Sequence, residues 1–415
     1  MSENVYIYAV GMTKFGKFLD TSMKDLTGQA LDSLKKDFNQ DISLVEAAWF
    51  SNSGWGMRSD QHCIRGQVAL SANGISEIPM INVENACAGG STALHGAWTA
   101  VKAGLYDCCL AIGTEKVYHE NRKMMMESFI TGTDVEKTRK LIEQLKKIAA
   151  MKKKRLAKKQ GKEVKKEKKG GHSAFMDLYA AAARSHMKRF GTTQRQLAVI
   201  AAKNHTNSSL NPLAQYTFPM TVDEVLNDYL VAYPLTRSMC APVGDGSAAT
   251  IVVSEEFFKA HPIDNAIKIR ASALQSGSWK QDDISRRTAD MAYKMSGLTA
   301  QEIDVAEVHD ATAFGELHQI EEMGFCPEGQ GGPFSESGAT QLDGKIPVNP
   351  SGGLISRGHP IGASGLAQIY ELVTQLRGEA GKRQIKDPKI ALAENGGGNI
   401  GPGEAAMCVH IIEKI

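Results

Sequence analysis

The order of a glycine-rich loop, an amphipathic helix and a short strand occurs twice in this chain of 415 residues, and no other feature restricts the fold as strongly. The first loop surrounds Cys87 and leads to a predicted strand at 110–112, and the second surrounds His359 and leads to a predicted strand at 390–393. The apolar helix positions are Ala93, Leu94, Ala97, Trp98 and Val101 in the first copy and Leu366, Ile369, Tyr370, Val373 and Leu376 in the second. The repetition indicates an internal duplication that brings a thiol and an imidazole together.

Cys87 lies in the stretch 85–91, which reads Asn-Ala-Cys-Ala-Gly-Gly-Ser. A thiol at a helix start meets unpaired backbone N–H groups and the positive end of the helix dipole, so we expect its pKa to fall below the ordinary value of about 8.5. The glycines let a substrate carbonyl approach the backbone. A lone cysteine at an apolar strand–helix junction is more often inert, so its assignment as a nucleophile depends on the second loop.

His359 lies in the second loop, which reads Asn-Pro-Ser-Gly-Gly at 349–353 and Arg-Gly-His-Pro-Ile-Gly-Ala-Ser-Gly at 357–365. An isolated histidine in a loop is usually structural. The duplication places this one opposite the cysteine loop, so we predict that His359 accepts the proton of Cys87.

These two loops resemble the nucleophile and base motifs of the thiolase superfamily, and the resemblance covers nearly the whole chain. The stretch 244–249 is similar to the Asp-Gly-Ala-Ala stretch that closes the first half of thiolases. The stretch 309–314, His-Asp-Ala-Thr-Ala-Phe, stands where the commonest thiolases carry Asn-Glu-Ala-Phe. Its histidine form resembles the branch of the sterol-carrier-linked thiolases and of archaeal enzymes that work with a small partner subunit.

The resemblance implies an α/β thiolase fold, with two duplicated βαβ-type halves in a layered αβαβα arrangement and a loop domain. Residues 1–120 and 185–260 are expected to form the N-terminal half, and residues 264–415 the C-terminal half. Residues 120–245 correspond to the loop domain, which covers the active site of thiolases and holds coenzyme A.

The fourth family motif departs from the pattern, because residues 393–401 read Ala-Glu-Asn-Gly-Gly-Gly-Asn-Ile-Gly and lack the Cys-x-Gly that supplies a second acid/base in typical thiolases. Cys408 comes later, in an alternating strand, and is expected in the core. His309, Glu394 or a bound water could take the second proton-transfer role, and Asn395 lies in the same stretch. The glycines also match a dinucleotide-binding pattern, but weakly, since a strand and not a helix is predicted to follow.

The resemblance further implies a mechanism. His359 takes the proton of Cys87, whose thiolate attacks the 3-keto carbon of a 3-oxoacyl-CoA, and an acyl-CoA enolate leaves. His309 and His359 are the expected donors to the thioester oxygen, and the N–H groups of Cys87 and Gly397 to the tetrahedral oxyanion. Coenzyme A then attacks the acyl-enzyme, so it is a substrate, and no permanently bound cofactor is expected.

Several substrates and activities remain open. The His309-Asp310 pair, the missing Cys-x-Gly and a basic insertion resemble thiolase subunits of the benzoylsuccinyl-CoA type, which pair with a small zinc-binding OB-fold protein. The alternatives are an acetoacetyl-CoA or medium-chain thiolase, a thiolase-fold retro-aldolase acting on a CoA ester, and a non-catalytic assembly subunit. Cys87 argues against the retro-aldolase, and the presence of both Cys87 and His359 argues against the assembly subunit.

Charge is distributed unevenly along the chain. Residues 137–171 contain 16 Lys or Arg and three Glu, a net charge of +13, whereas the whole chain carries +2 and the remainder therefore −11. Four interpretations are open: a solvated helical insertion, a docking site for an acidic partner, attraction of the phosphates of coenzyme A, and nucleic-acid binding. The segment contains no aromatic residue, which disfavours nucleic-acid binding.

Composition is that of a globular protein, with 42% hydrophobic and 23% charged residues, and the length allows two or three domains. No apolar run approaches the roughly 20 residues of a membrane helix, and the N-terminus reads as a strand, so a cytoplasmic location is expected. The seven cysteines include no Cys-x-x-Cys, which argues against a metal site in this chain. A homodimer is expected from the resemblance.

Overall fold

A computed structural model describes residues 3–121, 125, 129–140, 143–144, 174–280 and 283–415. The strands are β1 (Val5–Met12), β2 (Ala47–Ser51), β3 (Met80–Val83), β4 (Cys108–Lys116), β5 (Leu230–Ala232), β6 (Leu235–Thr236), β7 (Asp245–Ser254), β8 (Ile267–Ser276), β9 (Val305–Glu307), β10 (Ile390–Gly397) and β11 (Ala406–Lys414). The α-helices described are α1 (Met23–Phe38), α2 (Trp55–Ser59), α3 (Arg65–Ser71), α4 (Gly89–Lys102), α5 (Ala174–Phe190), α6 (Gln194–Ser209), α7 (Val222–Leu226), α8 (Glu255–Ala260), α9 (Ile284–Ser296), α10 (Ala313–Glu322), α11 (Gly331–Glu336), α12 (Gly353–Arg357) and α13 (Ser364–Arg377).

Nine strands form one continuous sheet in the order β3-β2-β4-β7-β1-β8-β11-β10-β9. A short antiparallel pairing of Tyr6 and Ile7 with Lys268 and Ile267 joins its two halves. The halves repeat one pattern, because β4-β7-β1 and β10-β11-β8 are both antiparallel triplets, and β4 and β10 each have a parallel neighbour on the other side. Strand β4, which follows α4, and strand β10, which follows α13, therefore occupy equivalent positions in the two halves of the sheet.

Helices α4 and α13 pack against each other between the two halves of the sheet. Helix α13 contacts β10 of its own half and β7 and β1 of the other, whereas α1 and α9 cover the outer faces. Leu94 and Ala97 of α4 are fully buried with Leu366 and Leu372 of α13 in the central core, and burying one such leucine contributes roughly 1.5–3 kcal/mol. These layers agree with the predicted αβαβα arrangement.

The segment between β4 and β7 packs on the elements next to the two candidate histidines. Helix α6 contacts α10 and α12, and α5 contacts α10. A capping box between Thr193 and Gln196 defines the start of α6. The lysine-rich segment 137–171 lies outside the described residues except for 137–140 and 143–144. No helix in the described part of the chain has the length and apolarity required to traverse a bilayer.

Candidate active site

Cys87 and His359 are neighbours in space although 272 positions separate them, with 3.2 Å between Cys87 Sγ and His359 Nε2. Cys87 lies in the turn between β3 and α4, and His359 lies between α12 and α13, so the packing of α4 on α13 brings them together. Ala86, directly before Cys87, has a φ of 48°, a left-handed conformation that costs a non-glycine residue roughly 1–2 kcal/mol. The strained turn presents the thiol to His359.

Ser364 determines which nitrogen of His359 carries the proton. Its Oγ donates to the carbonyl oxygen of Pro360 at 2.9 Å and lies 2.7 Å from His359 Nδ1. Because the hydroxyl proton is already used, Oγ accepts from Nδ1–H, and the lone pair of Nε2 faces the thiol. Sequence reasoning missed this role of Ser364, which follows from the turn that precedes α13.

The pKa of Cys87 shifts in the direction opposite to the one predicted. Desolvation by burial raises the pKa of this half-buried thiol to about 12, the N–H of Gly398 lowers it, and the carboxylates of Glu115 and Glu84 raise it. The prediction of a lowered pKa was therefore wrong, because loss of solvent outweighs the N–H groups at the start of α4. The resting nucleophile is a thiol.

Both imidazoles are neutral at pH 7. Burial, the nearby His309 and the Arg357 guanidinium hold the pKa of His359 well below its usual range. Burial and Arg357 lower the pKa of His309 to about 4. The resting pair of Cys87 and His359 is therefore uncharged, and a neutral imidazole is ready to accept the thiol proton.

His309 is buried between β9 and α10, and its ring centroid lies 5.3 Å from that of His359 at an interplanar angle of 83°. Asn395 Nδ2 lies 3.0 Å from His309 Nδ1. With Asn395 as the donor, Nδ1 is the acceptor and the ring proton is on Nε2. Cys87 Sγ and one ring nitrogen each of His309 and His359 all lie within 4.8 Å of one another, so one substrate can contact all three side chains.

Glu394 is fully buried behind His309, and its Oε2 accepts the backbone N–H of His309 at 2.7 Å. Its Oε1 has no hydrogen-bond partner among the described residues. Burial raises the pKa of Glu394 to about 8. Glu394 is absent from the cavity wall, whereas His309 forms part of it.

Glu115 joins the nucleophile side of the site to the histidine loop. Its fully buried carboxylate accepts the backbone N–H groups of Ser53 and Gly54 at 3.0 Å each and of Gly362 at 3.2 Å. Sequence reasoning did not single out Glu115, because its partners come from distant loops.

Gly397 lies against the nucleophile loop. A Cβ at this position would collide with the carbonyl oxygen of Asn85 and the backbone nitrogen of Ala88. The next residue, Gly398, has a φ of 64° and directs its N–H at the thiol. Strand β10 continues to Gly397 and is followed by a hairpin to β11, so the weak dinucleotide pattern lacks the helix it requires.

Replacing Gly397 with alanine is expected to reduce kcat/KM by about 10²-fold, because the methyl group must displace the turn that carries Cys87. Steady-state kinetics and thermal melting measure the effect. Gly338→Ala is the control for lost stability: the nearest atom to a new Cβ is 3.8 Å away, but the φ of 85° strains an alanine, so this variant should melt earlier and keep the wild-type kcat/KM. Wild-type kinetics in Gly397→Ala would contradict the close approach.

The site opens into a cavity of about 1020 Å³. Its apolar wall is formed largely by aromatic and aliphatic side chains, including Phe129, Phe175, Met176, Tyr179, Phe314 and Ile355. Burial raises the pKa of Tyr179 well above its usual range, so its phenol stays protonated. The absence of a metal and of a permanently bound cofactor stays a prediction.

Comparison with known proteins identifies the class. Residues 5–256 match the family model described as thiolase, N-terminal domain, and residues 272–409 match the one described as thiolase C-terminal domain-like. The chain belongs to the thiolase family and is an acyltransferase. The predicted family, fold class and enzyme class are thus confirmed.

Three relatives illustrate the range of similar proteins. The acetyl-CoA acetyltransferase of Methanothermobacter thermautotrophicus is 36% identical over 99% of this chain and 100% of that protein. Benzoylsuccinyl-CoA thiolase subunit BbsB of Thauera aromatica is 33% identical over 96% of each chain. Human sterol carrier protein 2 is 35% identical over 94% of this chain and 69% of that protein.

The solved structure titled Ltp2-ChsH2(DUF35) aldolase has a TM-score of 0.74 at 20% identity, covering 98% of this chain and 97% of the other. At this identity the similarity concerns the fold alone.

Proposed function

We propose that this chain cleaves a 3-oxoacyl-CoA with coenzyme A into two acyl-CoA products through an acyl-enzyme on Cys87. The observation that carries the proposal is the 3.2 Å contact between Cys87 Sγ and His359 Nε2 at the wall of the cavity. The orientation of His359 by Ser364 supports its role as the base.

The reaction begins when His359 takes the proton of Cys87 and the sulfur forms a bond to C3 of the substrate. The C2–C3 bond then breaks, and its electron pair forms the enolate of the departing acyl-CoA. The proton that His359 took from Cys87 is passed to the enolate carbon and gives the first product. His359, neutral again, takes the thiol proton of free coenzyme A, whose sulfur attacks the acyl-enzyme. The second product and the Cys87 thiolate are released, and His359 returns the proton to Cys87.

Fixed N–H donors stabilise the two oxyanions of this sequence. We assign His309 Nε2–H to the thioester oxygen of the enolate. We assign the tetrahedral oxyanion to the N–H of Cys87 together with that of Gly397 or of Gly398, whose N–H is directed at the thiol. Such a donor contributes roughly 3–4 kcal/mol to the transition state. His309 or a water in the cavity is favoured over Glu394 for passing the proton from His359 to the enolate carbon, because the Glu394 carboxyl group accepts the backbone N–H of His309 and does not line the cavity.

The aromatic wall of the cavity supports an acyl group that carries a ring. The similarity to the benzoylsuccinyl-CoA thiolase subunit BbsB supports benzoylsuccinyl-CoA, cleaved to benzoyl-CoA and succinyl-CoA. The similarity to an acetyl-CoA acetyltransferase makes acetoacetyl-CoA the main competing substrate.

We also propose a homodimer that works with a small zinc-binding OB-fold subunit in the cytoplasm. BbsB is named as a subunit of a thiolase, and the protein of similar fold is named as an aldolase of Ltp2 with ChsH2(DUF35). The lysine-rich segment 137–171 would attract an acidic partner surface or the phosphates of coenzyme A.

Substrate identity is tested with benzoylsuccinyl-CoA, acetoacetyl-CoA and medium-chain 3-oxoacyl-CoA esters, with the chain alone and after co-expression with an OB-fold partner. We expect two acyl-CoA products from each accepted ester and the highest kcat/KM for benzoylsuccinyl-CoA. A preference for acetoacetyl-CoA would overturn the substrate assignment. A 3-hydroxyacyl-CoA ester is added as a comparison substrate: its cleavage to an aldehyde or ketone and an acyl-CoA without consumption of coenzyme A, with no 3-oxoacyl-CoA cleaved, would replace thiolysis by retro-aldol cleavage.

A further inference from the structure

A buried ion pair lies directly behind the two histidines of the site. Arg357 Nη1 donates to Glu307 Oε2 at 3.0 Å, and the two residues are 1% and 0% exposed. Glu307 is the last residue of β9 and stands two positions before His309. Arg357 is the last residue of α12 and stands two positions before His359. The pair therefore joins the two backbone segments that carry the histidines.

Ser351 strengthens this connection. Its backbone N–H donates to Glu307 Oε1 at 3.0 Å and its hydroxyl to Oε2 at 2.8 Å, and Arg357 Nη1 lies 3.2 Å from the same hydroxyl. Asn349 adds a further link, because its Oδ1 accepts the backbone N–H of Val308 at 2.9 Å. The end of β9 is thus tied to the loop before α12 through Glu307 and through the residue that follows it.

Stability does not account for this ion pair. Removing both ions from water is costly, and apolar residues of the same volume often serve a core as well or better. The compensation is incomplete here, because Nε and Nη2 of Arg357 have no hydrogen-bond partner among the described residues. Burial also raises the pKa of Glu307 although Arg357 opposes the shift.

We propose that the ion pair of Glu307 and Arg357 is a positioning element that sets the distance and angle between His309 and His359 and holds His359 Nε2 against Cys87. This inference rests on the proposed function for its catalytic consequence only. The 5.3 Å separation and 83° angle of the rings are the quantities that it maintains. Arg357 and Glu307 are positioning residues, because they act through the histidines.

The variants that test this role are Arg357→Met, Glu307→Gln and the double variant, with Arg357→Lys as the conservative change. A second buried ion pair provides the matched control: Arg383 Nε lies 2.9 Å from Glu371 Oε1, with side chains 8% and 2% exposed. The control double variant is Arg383→Met with Glu371→Gln. All variants are compared at equal folded fractions.

The principal measurement is the rate at which iodoacetamide labels Cys87, since it needs His359 in place but no substrate. For each variant we also measure the melting temperature, and kcat and KM with the best 3-oxoacyl-CoA substrate. In Arg357→Met we expect labelling and kcat to fall at least about tenfold with little change in KM, because a misplaced base slows the reaction and not binding. Arg357→Lys should recover part of this loss.

The double variant separates positioning from stability. It should melt at a higher temperature than either single variant, because no buried charge is left unpaired, yet it should stay slow in labelling and kcat. Double-variant labelling at the wild-type rate, or an equal slowing in the control double variant, would overturn the positioning role. If no single variant folds, the two double variants still decide the question. If the labelling rates of the variants fall as expected but the wild-type protein cleaves no 3-oxoacyl-CoA, the proposed function is contradicted and the positioning role stands.

Discussion

Replacing Cys87 with serine will lower thiolysis by about 10⁴-fold or more and abolish the covalent intermediate. The hydroxyl is a far weaker nucleophile than a thiolate, and removal of a nucleophile that acts together with its base eliminates most of the catalysis. Intact-protein mass spectrometry after mixing with a 3-oxoacyl-CoA and no free coenzyme A should show an acyl adduct on the wild-type chain and none on the variant.

The control for this experiment is Cys63→Ser, which removes an exposed thiol outside the site. This variant should keep the adduct and the wild-type turnover. An active wild-type enzyme that never accumulates an adduct on Cys87, or an adduct that persists in Cys87→Ser, would refute the covalent mechanism.

Replacing His359 with asparagine will slow acylation by about 10²–10⁴-fold, the usual contribution of a positioned general base. Iodoacetamide labelling of Cys87 should fall as well and become strongly dependent on pH. Without the base, the reactive form is the free thiolate, and because the pKa of Cys87 is about 12, the labelling rate should rise tenfold for each pH unit from 7 to 9.

The wild-type protein should show a much flatter profile over the same range. The pKa of His359 lies well below its usual range, so the base is already neutral at pH 7 and gains nothing as the pH rises. Ser364→Ala is the matched comparison: it keeps the ring but removes the Nδ1–H acceptor, and it should cause a smaller loss. A flat profile in His359→Asn would show that another group takes the thiol proton.

Local patterns in the sequence predicted the helices and strands that frame the site. The apolar positions of α4 and α13 recur at helical spacing. Cys408 is fully buried as expected, although β11 is buried on both faces from Ala406 to Ile412 and not on alternate residues. Strand β10 extends past the predicted 390–393 to Gly397, because pairing with β11 outweighs the poor strand preference of glycine. Trp98 remains half-buried at the margin of its helix face.

The roles of Cys87, His309 and His359, the use of Gly397, Glu394 and Asn395, and the domain limits stay predictions. What the structure adds is their arrangement: Cys87 and His359 are in contact, Asn395 meets the ring of His309, and Glu394 meets its backbone. No periodicity in the chain encodes these contacts.

The sequence by itself determined the family, the duplicated α/β units and the residue types of the site, because these depend on local spacing and on motifs that are contiguous in the chain. The tertiary structure alone decided the protonation of the nucleophile, since the pKa of Cys87 depends on how much water the whole surrounding fold removes. It also decided the proton position on His359 through Ser364, and the contact of Glu307 with Arg357 across 50 residues. Desolvation and long-range contacts both depend on segments that are distant in the chain, so they arise only once those segments have packed together.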